Sequence, residues 1–268
     1  MNENREMTGR QAAASVVRQL LLMVIVMGTA GFIVPPLYNL AVGKEDPVNG
    51  MIVASAVYSV VLLYVFIRKK WWSIPSENDF VRTKPWSLLL WSLLVGFGWL
   101  IPMSAFDELL PDMPNVVGDE MTALMNNDFG FFTLCLFAPF IEEVMFRGGI
   151  LRTLLPVMPS RWQAIALSAL LFALIHMNPA QMPSAFIAGL FLGWIYSRTG
   201  SILPGVIYHW VNNTTVFVMC RLMPQFANSG ISEVFGGDHR RMALAVVFSL
   251  FILLPSLYQL SVRTRKDR

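Results

Sequence analysis

The chain has 268 residues, 55% of them hydrophobic and 14% charged, with a formal net charge of +3. Soluble domains run at roughly 45–50% apolar and about 25% charged, and the mean hydropathy of +0.56 departs from them in the same direction. Disorder, a collagen-like fibre and a disulfide-dense secreted module are excluded. Nucleic acid is not an expected partner, because the basic residues stand at the ends of apolar runs and make no basic face. Cys135 and Cys220 lie inside apolar runs and read as small hydrophobes.

Apolar segments follow one another at 16–38, 51–67, 86–106, 129–151, 162–176, 183–196, 202–219 and 242–262. A transmembrane helix needs roughly 20 such residues, so the pattern predicts an all-α, polytopic bundle of about eight helices. The first segment has no signal-peptide cleavage signature and reads as a retained helix. The fifth and sixth are short and separated by Met177-Asn178-Pro179-Ala180, which is compatible with bent or re-entrant forms. The expected organisation is residues 1–128 as helices one to three with an acidic loop, 129–218 as a core of four segments, and 219–268 as a final loop, helix and basic tail.

Basic residues orient the bundle. Arg5, Arg10, Arg18, Arg68, Lys69, Lys70, Arg82, Lys84, Arg152, Arg161, Arg198, Arg263, Arg265, Lys266 and Arg268 fall on one side. Lys44, Arg221, Arg240 and Arg241 fall on the other. Both termini are therefore expected in the cytoplasm, as an even number of spans requires. The loop with Asp107, Glu108, Asp112, Asp119, Glu120 and Asp128 is expected to be solvated and non-cytoplasmic.

Few ionisable residues interrupt the apolar segments. The fourth holds Glu142, Glu143 and Arg147, each carrying an insertion penalty of roughly 2.5–3.5 kcal/mol at mid-bilayer. Glu143 and Arg147 are four apart and share a helix face. Glu142 points about 100° away, free of that pair. Pro139, just before them, frees a carbonyl one turn earlier and is expected to bend the helix. His176 closes the fifth segment, and His209 and Asn213 share a face of the seventh. A carboxylate and a histidine can deprotonate one water as it attacks a carbonyl. A histidine and an amide can donate to the oxyanion that forms. An intramembrane polar cavity with hydrolytic chemistry is the expectation.

Glu142-Glu143-x-x-x-Arg147, Phe172-x-x-x-His176 and His209-x-x-x-Asn213, in this order on separate apolar segments, resemble the three motifs of the CPBP family of CAAX proteases and bacteriocin-processing (Abi) proteins. Arg198-Thr199-Gly200-Ser201 before the last motif is also similar, and the resemblance covers roughly residues 129–218. It implies an intramembrane, metal-independent glutamate endopeptidase in which Glu142 and His176 activate water and His209 and Asn213 form the oxyanion site. Glu143, Arg147 and Phe172 match supporting positions. It further implies a membrane-associated peptide or protein substrate; no cofactor is expected, and the expected location is the cell membrane of a prokaryote.

Two rival readings use the same residues. Glu142, His176 and His209 could ligate zinc with water in the fourth position, although no His-Glu-x-x-His pair is present. A transporter or immunity protein could keep the cluster for binding, since intramembrane carboxylates also mark ion pathways. A serine or aspartate protease is disfavoured: the chain has no Gly-x-Ser-x-Gly segment, and its aspartates lie outside the apolar spans.

Overall fold

The computed structural model describes residues 7–72, 85–223 and 230–264, and among them every regular element is helical. The basic residues Arg5, Arg82, Lys84, Arg265, Lys266 and Arg268, used above for orientation, lie outside the described residues. Helix α1 spans Gly9–Val42, α2 Pro47–Arg68, α3 Pro85–Glu108 and α4 Gly118–Asn126. A continuous helical rod, α5, follows in four stretches: Phe132–Phe137, Ala138–Glu143, Val144–Leu151 and Arg152–Leu154. Helix α6 is Arg161–Ile175, α7 Met182–Thr199, α8 Leu203–Leu222, α9 Ile231–Val234 and α10 His239–Arg263.

Local chemistry sets the boundaries. A capping box starts α1: Thr8 Oγ1 accepts from Gln11 N, and Gln11 Oε1 accepts from Thr8 N. Gly43, at φ 74°, ends it in the left-handed conformation that glycine adopts freely. Asp46 then caps α2, with Pro47 in its first turn. Hydrogen bonds from the Asn49 side chain and backbone hold the Asp46 carboxyl below its ordinary pKa.

Among the described residues, four helices, α1, α2, α3 and α10, are long and apolar enough to cross a membrane. Large hydrophobic side chains face outward on them, Phe32 at 83% and Phe251 at 70% exposure among them. Such a surface is unfavourable in water and suited to lipid. Three of the other four expected spans differ for identifiable reasons. Helix α6 has 15 residues, a rise of about 22 Å against a hydrocarbon core of about 30 Å. Glutamates and an arginine interrupt α5, and His209, Asn212 and Asn213 interrupt α8.

Packing is pairwise. Helix α1 lies on α2, α6 on α7, and α3 on both α8 and α10. One apolar core joins α1, α2, α5 and α6 through residues such as Met23, Phe66, Phe146 and Ile165. A second joins α3, α7, α8 and α10 through Val95, Ile195, Tyr208 and Leu253. Small residues permit close approaches between helices. A Cβ on Gly189 would lie 2.9 Å from Ala169 Cβ, and one on Gly193 would lie 2.9 Å from Ile165 Cγ2. The two glycines, four apart on α7, thus seat it against α6.

Candidate active site

The second and third stretches of α5 carry the first polar cluster. Glu143 and Arg147 form an ion pair at 2.8 Å, each side chain 1% exposed. The expected pairing is present, although the rod passes from α to π register at Val144. The Arg147 guanidinium stacks 4.3 Å from the centroid of the Phe172 ring, a cation–π contact strengthened by burial. Its Nη2 also donates to the Gly189 carbonyl at 3.4 Å. A Cβ on Gly205 would come 2.6 Å from Glu143 Oε2, so glycine lets α8 approach this carboxylate.

Phe172 is the hub of the site. Its ring meets the His176 ring edge-on at 4.8 Å and the His209 ring at 6.1 Å. His176 sits at the C-terminal end of α6, where its Nδ1 lies 2.7 Å from the Phe172 carbonyl. A carbonyl can only accept, so Nδ1 carries the proton in this contact and Nε2 is the nitrogen left over. The next residue, Met177, turns at φ 51°, a left-handed conformation unusual for a non-glycine side chain.

His209 faces both glutamates. Its Nε2 is 3.6 Å from Glu142 Oε2, and its Nδ1 is 3.8 Å from Glu143 Oε1. These separations exceed direct hydrogen bonds and lie within the electrostatic range of an ion pair. Asn213, one turn further along α8, donates from Nδ2 to the Leu134 carbonyl at 2.9 Å. Asn212 Nδ2 donates to Asn213 Oδ1 at 3.3 Å.

Glu142, His176, His209 and Asn213 all line one cavity of about 250 Å³. This lies just below the roughly 300–1,000 Å³ of common ligand sites and has room for several waters at about 30 Å³ each. Trp99, Met103 and Met121 give part of it an apolar wall. Among the described residues, no group of three or more His, Cys, Asp or Glu side chains is placed to hold a metal ion.

Several contributors escaped sequence reasoning. Asn178 is fully buried: its Oδ1 accepts from Val116 N, and its Nδ2 donates to Asn115 Oδ1, both at 3.0 Å. Ala180 N adds a bond to the Pro114 carbonyl. Together these fasten the acidic segment after α3 to the turn that follows His176. That segment is not only a solvated loop, since it includes α4, whose Met121 reaches the cavity. The available signals were the Asn-Pro pair at 178–179 and the glycine spacing of 189 and 193.

No curated protein and no solved structure matches the chain significantly. A family model does: residues 126–215 match the family described as Type II CAAX prenyl endopeptidase Rce1-like. The matched stretch runs from the end of α4 through most of α8 and contains every polar residue named in the cavity. Over residues 126–215, about a third of the chain, the protein is similar to the Rce1-like CAAX prenyl endopeptidases, and this stretch carries the polar side chains gathered around the cavity.

Proposed function

We propose that the chain is an intramembrane glutamate-type endopeptidase that hydrolyses a peptide bond in a membrane-associated peptide or protein. The observation that carries this reading is the shared cavity: Glu142, His176, His209 and Asn213 come from three separate elements of the Rce1-like stretch and line one space. Glu142 accepts a proton from a water held between it and His176 Nε2, and the water oxygen attacks the scissile carbonyl. The tetrahedral oxyanion receives hydrogen bonds from His209 and Asn213. Glu142 returns the proton to the departing amine, so the site ends as it began. Glu143 and Arg147 act one layer behind, where their buried pair holds a carboxylate against the back of His209.

In this reading the four shorter or polar-interrupted helical stretches complete an eight-span bundle, with residues 129–218 as the core and the flanks 1–128 and 219–268 as its membrane scaffold. Both termini are cytoplasmic, and the host membrane is a prokaryotic cell membrane. The mechanism needs no metal, so chelation should leave the rate unchanged.

Glu142→Gln tests the central step, since it keeps the size of the side chain and removes the base. The expected loss is about 10²–10⁴-fold in cleavage. Membrane fractions from cells carrying the wild-type chain or the variant are compared for new protein termini. Termini found only with the wild type support the reading, and an identical set from both overturns it.

A further inference from the structure

Pro139 stands three residues before Glu142, at the point where α5 changes register. Immediately before it, Ala138 N–H bonds the Thr133 carbonyl, five residues back. In that register the next N–H, at position 139, would bond the Leu134 carbonyl. Proline has no N–H, so Leu134 loses the donor its helix would supply. A partly buried carbonyl without a donor is unfavourable, and Asn213 Nδ2 fills the place at 2.9 Å.

This bond decides which way the Asn213 carboxamide faces. Its nitrogen lies on Leu134, and its oxygen takes the bond from Asn212 Nδ2. The opposite flip would set Oδ1 against the Leu134 carbonyl, acceptor against acceptor. Nδ2 has two hydrogens. With one committed to Leu134, the other remains for the cavity that Asn213 lines.

We propose that Pro139 is a positioning residue for Asn213: by lacking an N–H it hands the Leu134 carbonyl to the carboxamide and so fixes the end of Asn213 that offers a donor to the cavity. An oxyanion donor is effective only when oriented before the reaction. The effect on catalysis rests on the endopeptidase reading, whereas the coupling between Pro139 and Asn213 does not.

The test uses the full chain in detergent micelles, labelled with ¹⁵N-asparagine. The Asn213 side-chain NH₂ pair is located by its absence from Asn213→Ala. In the wild type its two protons should be well separated and slow to exchange. Pro139→Ala restores a competing N–H and should narrow that separation and speed exchange about fivefold. A folded Pro139→Ala protein with an unchanged Asn213 pair overturns the proposal. Should that variant fail to fold, Asn212→Leu keeps the proline and removes the donor to Oδ1. A single carboxamide orientation, held by the Leu134 carbonyl, is then still expected, and a second, flipped population overturns the proposal.

A Glu142→Gln control separates the two readings. A wild-type rate of substrate cleavage in that control, with the Asn213 pair perturbed in Pro139→Ala, removes the endopeptidase reading and leaves the positioning intact. A dead control with an unperturbed pair removes the positioning alone.

Discussion

Arg147 is fully buried, and its charge is tolerable only because Glu143, the Phe172 face and the Gly189 carbonyl surround it. Arg147→Met strands the Glu143 carboxylate and should destabilise the protein by about 3–5 kcal/mol. Glu143→Leu combined with Arg147→Met removes both charges and should recover much of that loss. Thermal unfolding in detergent measures both, and equal melting temperatures for the single and double variants would show that the pair is not coupled. Phe172→Leu keeps the burial and deletes the ring. It should lower stability by about 0.5–2 kcal/mol through the lost cation–π contact and lower kcat further by freeing both histidine rings.

Residues of this kind were legible in the sequence because charge is rare in the apolar segments, so Glu142, Glu143 and Arg147 stood out. The helix periodicity that paired Glu143 with Arg147 survives the π register, in which side chains four apart still fall close together. What the side chains do not encode is the backbone. The Leu134 carbonyl is chemically like any other, and only the hydrogen-bond register of α5 shows that Pro139 leaves it free. At Pro139, where the sequence leads one to expect a bend, α5 passes from π to α register.

At the scale of elements, the turn between α6 and α7 is fastened by one buried side chain. Asn178→Ala removes both side-chain bonds to the segment before α4, leaving Val116 N without its acceptor. A loss of about 1–3 kcal/mol is expected. Limited proteolysis should then cut residues 109–117 faster than in the wild type, and an unchanged cleavage pattern would show that the clamp does not hold that segment. Gly189→Leu puts bulk where even a Cβ meets Ala169 at 2.9 Å. It should force α6 and α7 apart at about 1–3 kcal/mol or more, shifting His176 relative to His209. These contacts were hidden in the sequence because a glycine or asparagine acquires its meaning from what lies opposite it, and the partners here are up to 63 residues away in the chain.

For the whole molecule, the all-helical class and the apolar periphery followed from composition and segment length. The number of spans did not follow as simply, because α5 and α8 trade apolarity for the side chains of the cavity. Orientation is open to direct measurement in a background lacking Cys135 and Cys220. Glu45→Cys, between α1 and α2, should react with a membrane-impermeant maleimide added to intact cells, and Arg161→Cys, at the start of α6, should react only after permeabilisation. The reverse pattern would invert the topology and place the termini outside.

The 15 residues of α6 have one more consequence. A bilayer that fits the 22 residues of α2, about 33 Å of rise, is about 10 Å too thick for α6. Either the lipid thins beside α6 or water follows the unfilled height down to His176, the residue at its end. Acyl-chain length then becomes a setting of the proposed activity. Reconstitution in a series of phosphatidylcholines of increasing chain length should give an activity optimum in short-chain lipid. A flat profile would show that the neighbouring helices shield α6 from the membrane's thickness.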